Sequence, residues 1–286
     1  MTTAAILLVL ASAVLHAVWN LFAKRASGGM VFLWLFSALS MVIYLPLVIY
    51  LLVVDQPPLG WAALAAIGVS SMLQLVYFRL LDQSYKIGDL SLVYPLARGS
   101  GPLLSALLAI ILLGERPSAV AMIGALLITL GILFFAGNPL TIRSAGSGKA
   151  IAFALLTGVS IASYTLWDKQ IVSVLLVPPL ILDWSSGLVR TLVLLPHVLK
   201  RRAQLREEWR LHKREAFGIA VFSPLSYILL LTALIASPVS YVAPFRQISI
   251  LIGALLGWRF LSEGDMRRRA SAAVIMMFGV IALAFG

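Results

Sequence analysis

Two arginines stand where arginine is costly. Arg98 lies about nine residues inside the apolar run LSLVYPLARGSGPLLSALLAIILL, from Leu90 to Leu113, and Arg246 about eight residues inside another. At about 1.5 Å per residue both fall near the middle of a ~30 Å hydrocarbon core, if these runs are membrane helices. A guanidinium at that depth costs several kcal/mol unless it is paired or hydrated. Its planar fork suits carboxylate and phosphate-like groups, so the chemistry on offer is anion recognition. Pro95 precedes Arg98 by three residues, and Pro244 precedes Arg246 by two. A proline frees a backbone carbonyl, tolerated at membrane depth where protein or a wet cavity satisfies it. The competing reading has each arginine capping such carbonyls or pairing with an internal carboxylate, Asp168 or Asp183.

Other polar side chains recur at helical spacing. His16, Asn20 and Lys24 share one helix face, with Trp19 beside them, and Tyr164 and Asp168 do the same beside Trp167. Ser70-Gln74-Tyr77 and Ser223-Ser226-Tyr227 form two further stripes. The substrate-binding candidates are therefore Arg98, Arg246, Trp19, Asn20, Gln74, Tyr94, Tyr164 and Trp167. His16 and Asp168 are the candidates for proton coupling. Asp183 and Arg190, seven residues apart on one face, are read as a structural ion pair.

Catalytic motifs fail. AGSGKA lacks the first glycine and the final Ser or Thr of a phosphate loop, RGSG lacks the spacing of an intramembrane serine protease, and there is no H-E-x-x-H. With three histidines and no cysteine, thiol chemistry is excluded, and neither a metal nor a cofactor is expected.

The elements that must position these residues follow from composition. The chain has 286 residues, 61% hydrophobic and 12% charged, against about 25% charged in an ordinary soluble domain. Apolar runs of about 20 residues recur throughout, so the class is a polytopic, all-α membrane protein. The net charge of +11 is read as loop charge, with no nucleic-acid partner. Trp19 and Trp167 are 148 residues apart, as are Arg98 and Arg246, Glu115 and Glu263, Gly131 and Gly279, and Asn20 and Asp168. Ala106-Leu107-Leu108 falls on Ala254-Leu255-Leu256 at the same offset. The chain reads as one unit copied twice.

Each copy reads as five helices, roughly 4–23, 30–53, 60–81, 89–113 and 118–137, then 150–170, 178–199, 216–236, 238–261 and 268–286. The domains are 1–137, a linker at 138–149, and 150–286. Five is odd, so the second copy enters the membrane from the opposite face, giving ten helices in two inverted repeats around a central cavity. The first helix belongs to the repeat and is expected to be retained rather than cleaved as a signal. Loops after the odd-numbered helices, with their flanks, carry 16 Lys and Arg; the other face carries two, Arg116 and Lys169. The positive-inside rule puts both termini on the non-cytoplasmic side. The run KRRAQLREEWRLHKRE is an orientation signal that also meets anionic lipid heads.

The segments HAVWNLFAKRA, SLVYPLARGSGPLLSALLAIILLGERPS and YVAPFRQISILIGALLGWRFLSEGD resemble the EamA-type branch of the drug/metabolite transporter superfamily. The resemblance implies a ten-helix permease or exporter of a bacterial cytoplasmic (inner) membrane, with helices 1, 3, 4, 6, 8 and 9 lining its cavity. Small multidrug exporters of that superfamily use a first-helix Glu; this chain has His16 there, which argues against cationic drugs. Family members are usually drawn with cytoplasmic termini, and the loop charges here point the other way. The expectation is a secondary transporter of a small anionic or zwitterionic metabolite, such as an amino acid, organic acid or phosphonate. A lipid-carrier flippase and a membrane-embedded enzyme are the alternatives. A monomer and a homodimer both fit.

Overall fold

The structure is a computed structural model. It describes residues 1–26, 29–87, 90–136, 147–253 and 266–286; residues 85, 90–92, 94, 95, 135, 136, 147 and 266–270 are described by their backbone alone. Among the described residues every regular element is a helix. These are α1 (Thr3–Ala26), α2 (Met30–Tyr50, ending in a π-turn over Leu51–Asp55), α3 (Trp61–Ile87), α4 (Leu90–Leu113) and α5 (Ala119–Ala136). There follow α6 (Ser147–Ser173), α7 (Pro179–Leu199), α8 (Arg202–Ala236), α9 (Val239–Phe245), a helical stretch α10 over 248–253, and α11 (Met266–Phe285).

Six of these segments are long and apolar enough to cross a membrane, among them Thr3–Ala26, Met30–Asp55 and Gly148–Ser173. Large apolar side chains are strongly exposed along them, Val42 at 70% and Leu112 at 67%. Water does not tolerate so wide an apolar surface on a monomer. The chain is an integral, multi-pass membrane protein.

Inside, the packing relies on small residues. Val9, Ala13 and Ala17 of α1, Ala106 and Ala109 of α4, and Ala150 and Ala154 of α6 are all buried. In lipid, helices associate by close approach and hydrogen bonding, because burying apolar surface from an apolar solvent gains little. The principal pairings are α1 on α8, α3 on α6, α2 on α7, α5 on α11, and α4 on α5, α6 and α9. The closest is α5 on α11. A Cβ on Gly124 would lie 2.7 Å from the Gly279 carbonyl oxygen, and one on Gly279 2.7 Å from that of Gly124. A Cβ on Gly131 would fall 3.2 Å from the Ala272 carbonyl oxygen. The 148-residue offset turns Gly124 into Ala272 and Gly131 into Gly279, so these two contacts exchange under it.

Reciprocal hydrogen bonds fix other crossings. Ser12 Oγ donates to the Ser226 carbonyl at 2.7 Å, and Ser226 Oγ to the Ser12 carbonyl at 2.8 Å. Trp34 donates from α2 to the Thr191 carbonyl, and Trp184 from α7 to the Met41 carbonyl, both at 3.0 Å.

Several boundaries differ from the sequence expectation. The basic run read as a loop is helix: α8 starts at Arg202 and bends at His212, where φ is −125° and ψ 24°. Arg, Glu, Leu and Lys are strong helix formers, and no Gly or Pro interrupts them before Phe217, so the polar stretch stays helical. The expected span 238–261 is broken at Arg246–Gln247, about two turns after α9 begins, because Pro244 cannot continue the ladder. Its counterpart α4 runs unbroken through Pro95 and Pro102. α6 also starts at Ser147, inside the expected linker; residues 137–146 and Glu263 lie outside the described residues.

Candidate functional site

α1, α3, α4, α6, α7, α8 and the α9 break converge on one cavity of about 140 Å³, also touched by α2. Its lining includes His16, Trp19, Gln74, Arg98, Tyr164, Asp183, Arg190, Tyr227 and Arg246. An apolar cavity of roughly 150 Å³ holds benzene, six heavy atoms, so this one suits a small metabolite.

His16 lies between the two arginines. Arg246 Nη2 is 3.1 Å from its Nδ1, and Arg98 Nη1 is 3.4 Å from its Nε2. A guanidinium is a donor only, and a neutral imidazole has one acceptor nitrogen, so His16 satisfies at most one of them. Among the described residues, Arg246 Nε, Arg190 Nε and Trp19 Nε1 are buried with no hydrogen-bond partner. Buried donors of that kind require acceptors. The walls are aromatic: Tyr77 packs edge-on against Tyr164 at 5.7 Å, and the Arg246 guanidinium lies 5.8 Å from the centre of the Tyr227 ring.

Asp168 is fully buried and joins three helices just behind this wall. It accepts hydrogen bonds from Ser70 Oγ, from Tyr227 Oη at 2.5 Å, and from Gln74 Nε2 at 3.4 Å. The two polar stripes of α3 and α8 thus meet on the acid of α6.

Most of the expected site residues reach the cavity; four do not fit as expected. Asn20 Nδ2 turns back to donate to the His16 carbonyl at 2.6 Å, as a short amide one turn on readily does. Trp167 donates to the Ala66 carbonyl at 2.9 Å and is 38% exposed, on the outer side of α6. The ion pair expected between Asp183 and Arg190 is not formed among the described contacts. Seven residues span about 10.5 Å of helix axis, and Arg190 crosses to α3 instead, with its guanidinium 5.0 Å from the centre of the Phe78 ring. Both side chains face the cavity. The side chain of Tyr94 lies outside the described residues.

Glu115 and Lys169, outside the expected site residues, organise the turn between α8 and α9. The carboxylate of Glu115 accepts from the Val239 and Ser240 backbone N–H groups at 2.7 and 2.8 Å. Pro238 in the N-cap position offers no side-chain acceptor, so the cap comes from the α4–α5 loop. Lys169 Nζ donates to the carbonyls of Leu234, Ile235 and Ser237 at the end of α8. The repeat of Glu115 at 263 was the available signal, but it did not show what the acid binds.

A family model described as the EamA-like transporter family matches residues 3–137 and again 148–285. No curated protein matches the chain. Among solved structures, one described only as "Crystal structure of protein" superposes with a TM-score of 0.74 at 13% identity, covering 100% of this chain and 98% of that one. At that identity the likeness speaks for the fold alone.

Proposed function

This chain belongs to the EamA-like transporter family of the drug/metabolite superfamily, and on that premise we propose that it is a secondary transporter whose cavity binds a small anionic or zwitterionic metabolite. The observation that carries the reading is Arg98 and Arg246 meeting at His16, with unpartnered N–H donors around them. Such a set favours a carboxylate, phosphonate or similar group, held by the two guanidiniums against aromatic walls. The cavity volume favours an amino acid, a short organic acid or a small phosphonate over anything of nucleotide-sugar size. In proteoliposomes, members of those classes should exchange across the bilayer, and larger anions should not.

Ten spans in two inverted halves, rocking to expose the cavity to each side in turn, are the architecture this proposal adopts. The exchange of α5–α11 contacts under the 148-residue offset supports it. The 16-to-2 charge asymmetry supports an orientation with both termini on the non-cytoplasmic side. A reporter fused at Gly286 should therefore behave as non-cytoplasmic, and one inserted near Ala203 as cytoplasmic. The opposite result at Gly286 overturns the orientation.

Proton coupling is proposed for His16 and Asp168. Transport should then vary between about pH 5 and 8, where an ordinary histidine titrates. His16→Gln keeps an acceptor for Arg246 and should flatten that profile. A flat profile in Asp168→Asn alone, with His16→Gln unchanged, moves the coupling to Asp168.

A further inference from the structure

A second, smaller cavity of about 40 Å³ lies behind the first, and the two share Arg98, Tyr164 and Arg246. The larger cavity extends toward Trp19 and Phe36, the end where α1 finishes and α2 begins. The smaller extends the other way, between Ser105, Thr165, Leu234 and Val242. Ser105 and Thr165 donate to their own helices' carbonyls, at 2.8 and 2.7 Å, so their hydroxyls are already satisfied. The three shared side chains form a partition with a chamber on either side.

The small chamber reaches Leu234 near the end of α8 and Val242 of α9, which flank the turn between the two helices. That turn is held by two charges from outside it, Lys169 of α6 on the carbonyls before it and Glu115 of the α4–α5 loop on the amides after it. A closure made of a few side chains on two helix ends can open without unpacking a core, which alternating access requires. Glu115 follows the C-terminus of α4 and Lys169 lies one turn from that of α6, so both sit at the end opposite Trp19 and Phe36.

We propose that the two cavities are successive chambers of one transport path, and that Glu115 and Lys169 are the latch that closes its far end over the smaller chamber. The proposal rests on the transport reading, but its test needs no cargo. The chain contains no cysteine, so a single Ser105→Cys, at a side chain with no exposed surface, reports access to that chamber. The full-length protein in membranes is treated with a membrane-impermeant thiol reagent from the side of the α4–α5 loop. In the otherwise unchanged protein Ser105→Cys should be protected. With Glu115→Gln or Lys169→Met added, labelling should rise at least several-fold.

Size-exclusion profiles report folding. Folded variants with no gain in labelling overturn the proposal, as does free labelling of Ser105→Cys in the unchanged protein. Loss of fold in both variants makes the pair a structural cap and also overturns it. A failure to find any anionic cargo leaves the labelling result standing, so the two readings fail separately.

Discussion

Replacing Arg98 with alanine should weaken binding of an anionic cargo by about thirtyfold to a few thousandfold. That range corresponds to roughly 2–5 kcal/mol, the cost of truncating one partner of a buried, hydrogen-bonded charge pair. The cargo group would be left with Arg246 alone, and Arg246 already engages His16 at 3.1 Å. Arg98→Lys keeps the charge and loses the bidentate fork, so its loss should be smaller, about tenfold to a hundredfold. Equilibrium binding of the best ligand from a panel of amino acids, organic acids and phosphonates gives both values. A third variant separates recognition from scaffolding. If Arg98 only balances an internal acid, neutralising Asp168 and Asp183 should rescue Arg98→Ala. The geometry predicts no rescue, because the Asp168 carboxylate is already taken up by Ser70, Gln74 and Tyr227. Rescue would return Arg98 to the scaffold.

The second large effect is on stability. Asp168→Ala should lower the melting temperature of the purified protein on the order of ten degrees. The carboxylate ties α3 to α8 through α6, and its loss leaves the Ser70 and Tyr227 hydroxyls buried without an acceptor. Each such orphan costs about 1–3 kcal/mol, and in a chain of this size one kcal/mol moves the midpoint by roughly 2–4 °C. Asp168→Asn should be far milder, since its amide oxygen still accepts from one of the two hydroxyls. A melting temperature for Asp168→Ala within two or three degrees of the parent would remove Asp168 as the node of the fold.

Much of this arrangement was readable from residue types and spacing. Arg98 and Arg246 were conspicuous because charge at membrane depth is rare, and they do line one cavity. The stripes of α3 and α8 were conspicuous because polar residues recurred at helical spacing, and they meet on Asp168. What could not be read was the direction in which each copy of a repeated residue faces. Trp19 and Trp167 hold the same register, yet Trp19 lines the cavity and Trp167 points outward. The neighbouring residue differs: Asp168 is drawn inward by three donors, which carries Trp167, about 100° round the helix, to the outer side. Asn20 in the matching position of α1 is satisfied by its own backbone and exerts no such pull.

The same limit explains Arg190 and Glu115. A seven-residue spacing shows that Asp183 and Arg190 share a face, but the side chain's choice between its own helix and Phe78 depends on where α3 lies. Glu115 caps a helix that starts 124 residues later, a pairing no local pattern announces. The broken α9 was signalled by Pro244, whereas Pro95 and Pro102 left α4 continuous. A proline marks where a helix can break, and the surrounding contacts decide whether it does.

A cavity built for negative charge should select its ligands by that charge. The most direct measurement is the thermal shift of purified protein with small carboxylates, amino acids and phosphonates, set against amines of the same size without an acidic group. A ligand at about 100 times its Kd adds roughly 2.7 kcal/mol of stability, which is a shift of about 5–10 °C here. That shift is expected for at least one anion or zwitterion in the parent protein, with its loss in Arg246→Ala and none for the amines. Stabilisation by the amines alone, or by the same anion equally in Arg246→Ala, would contradict it.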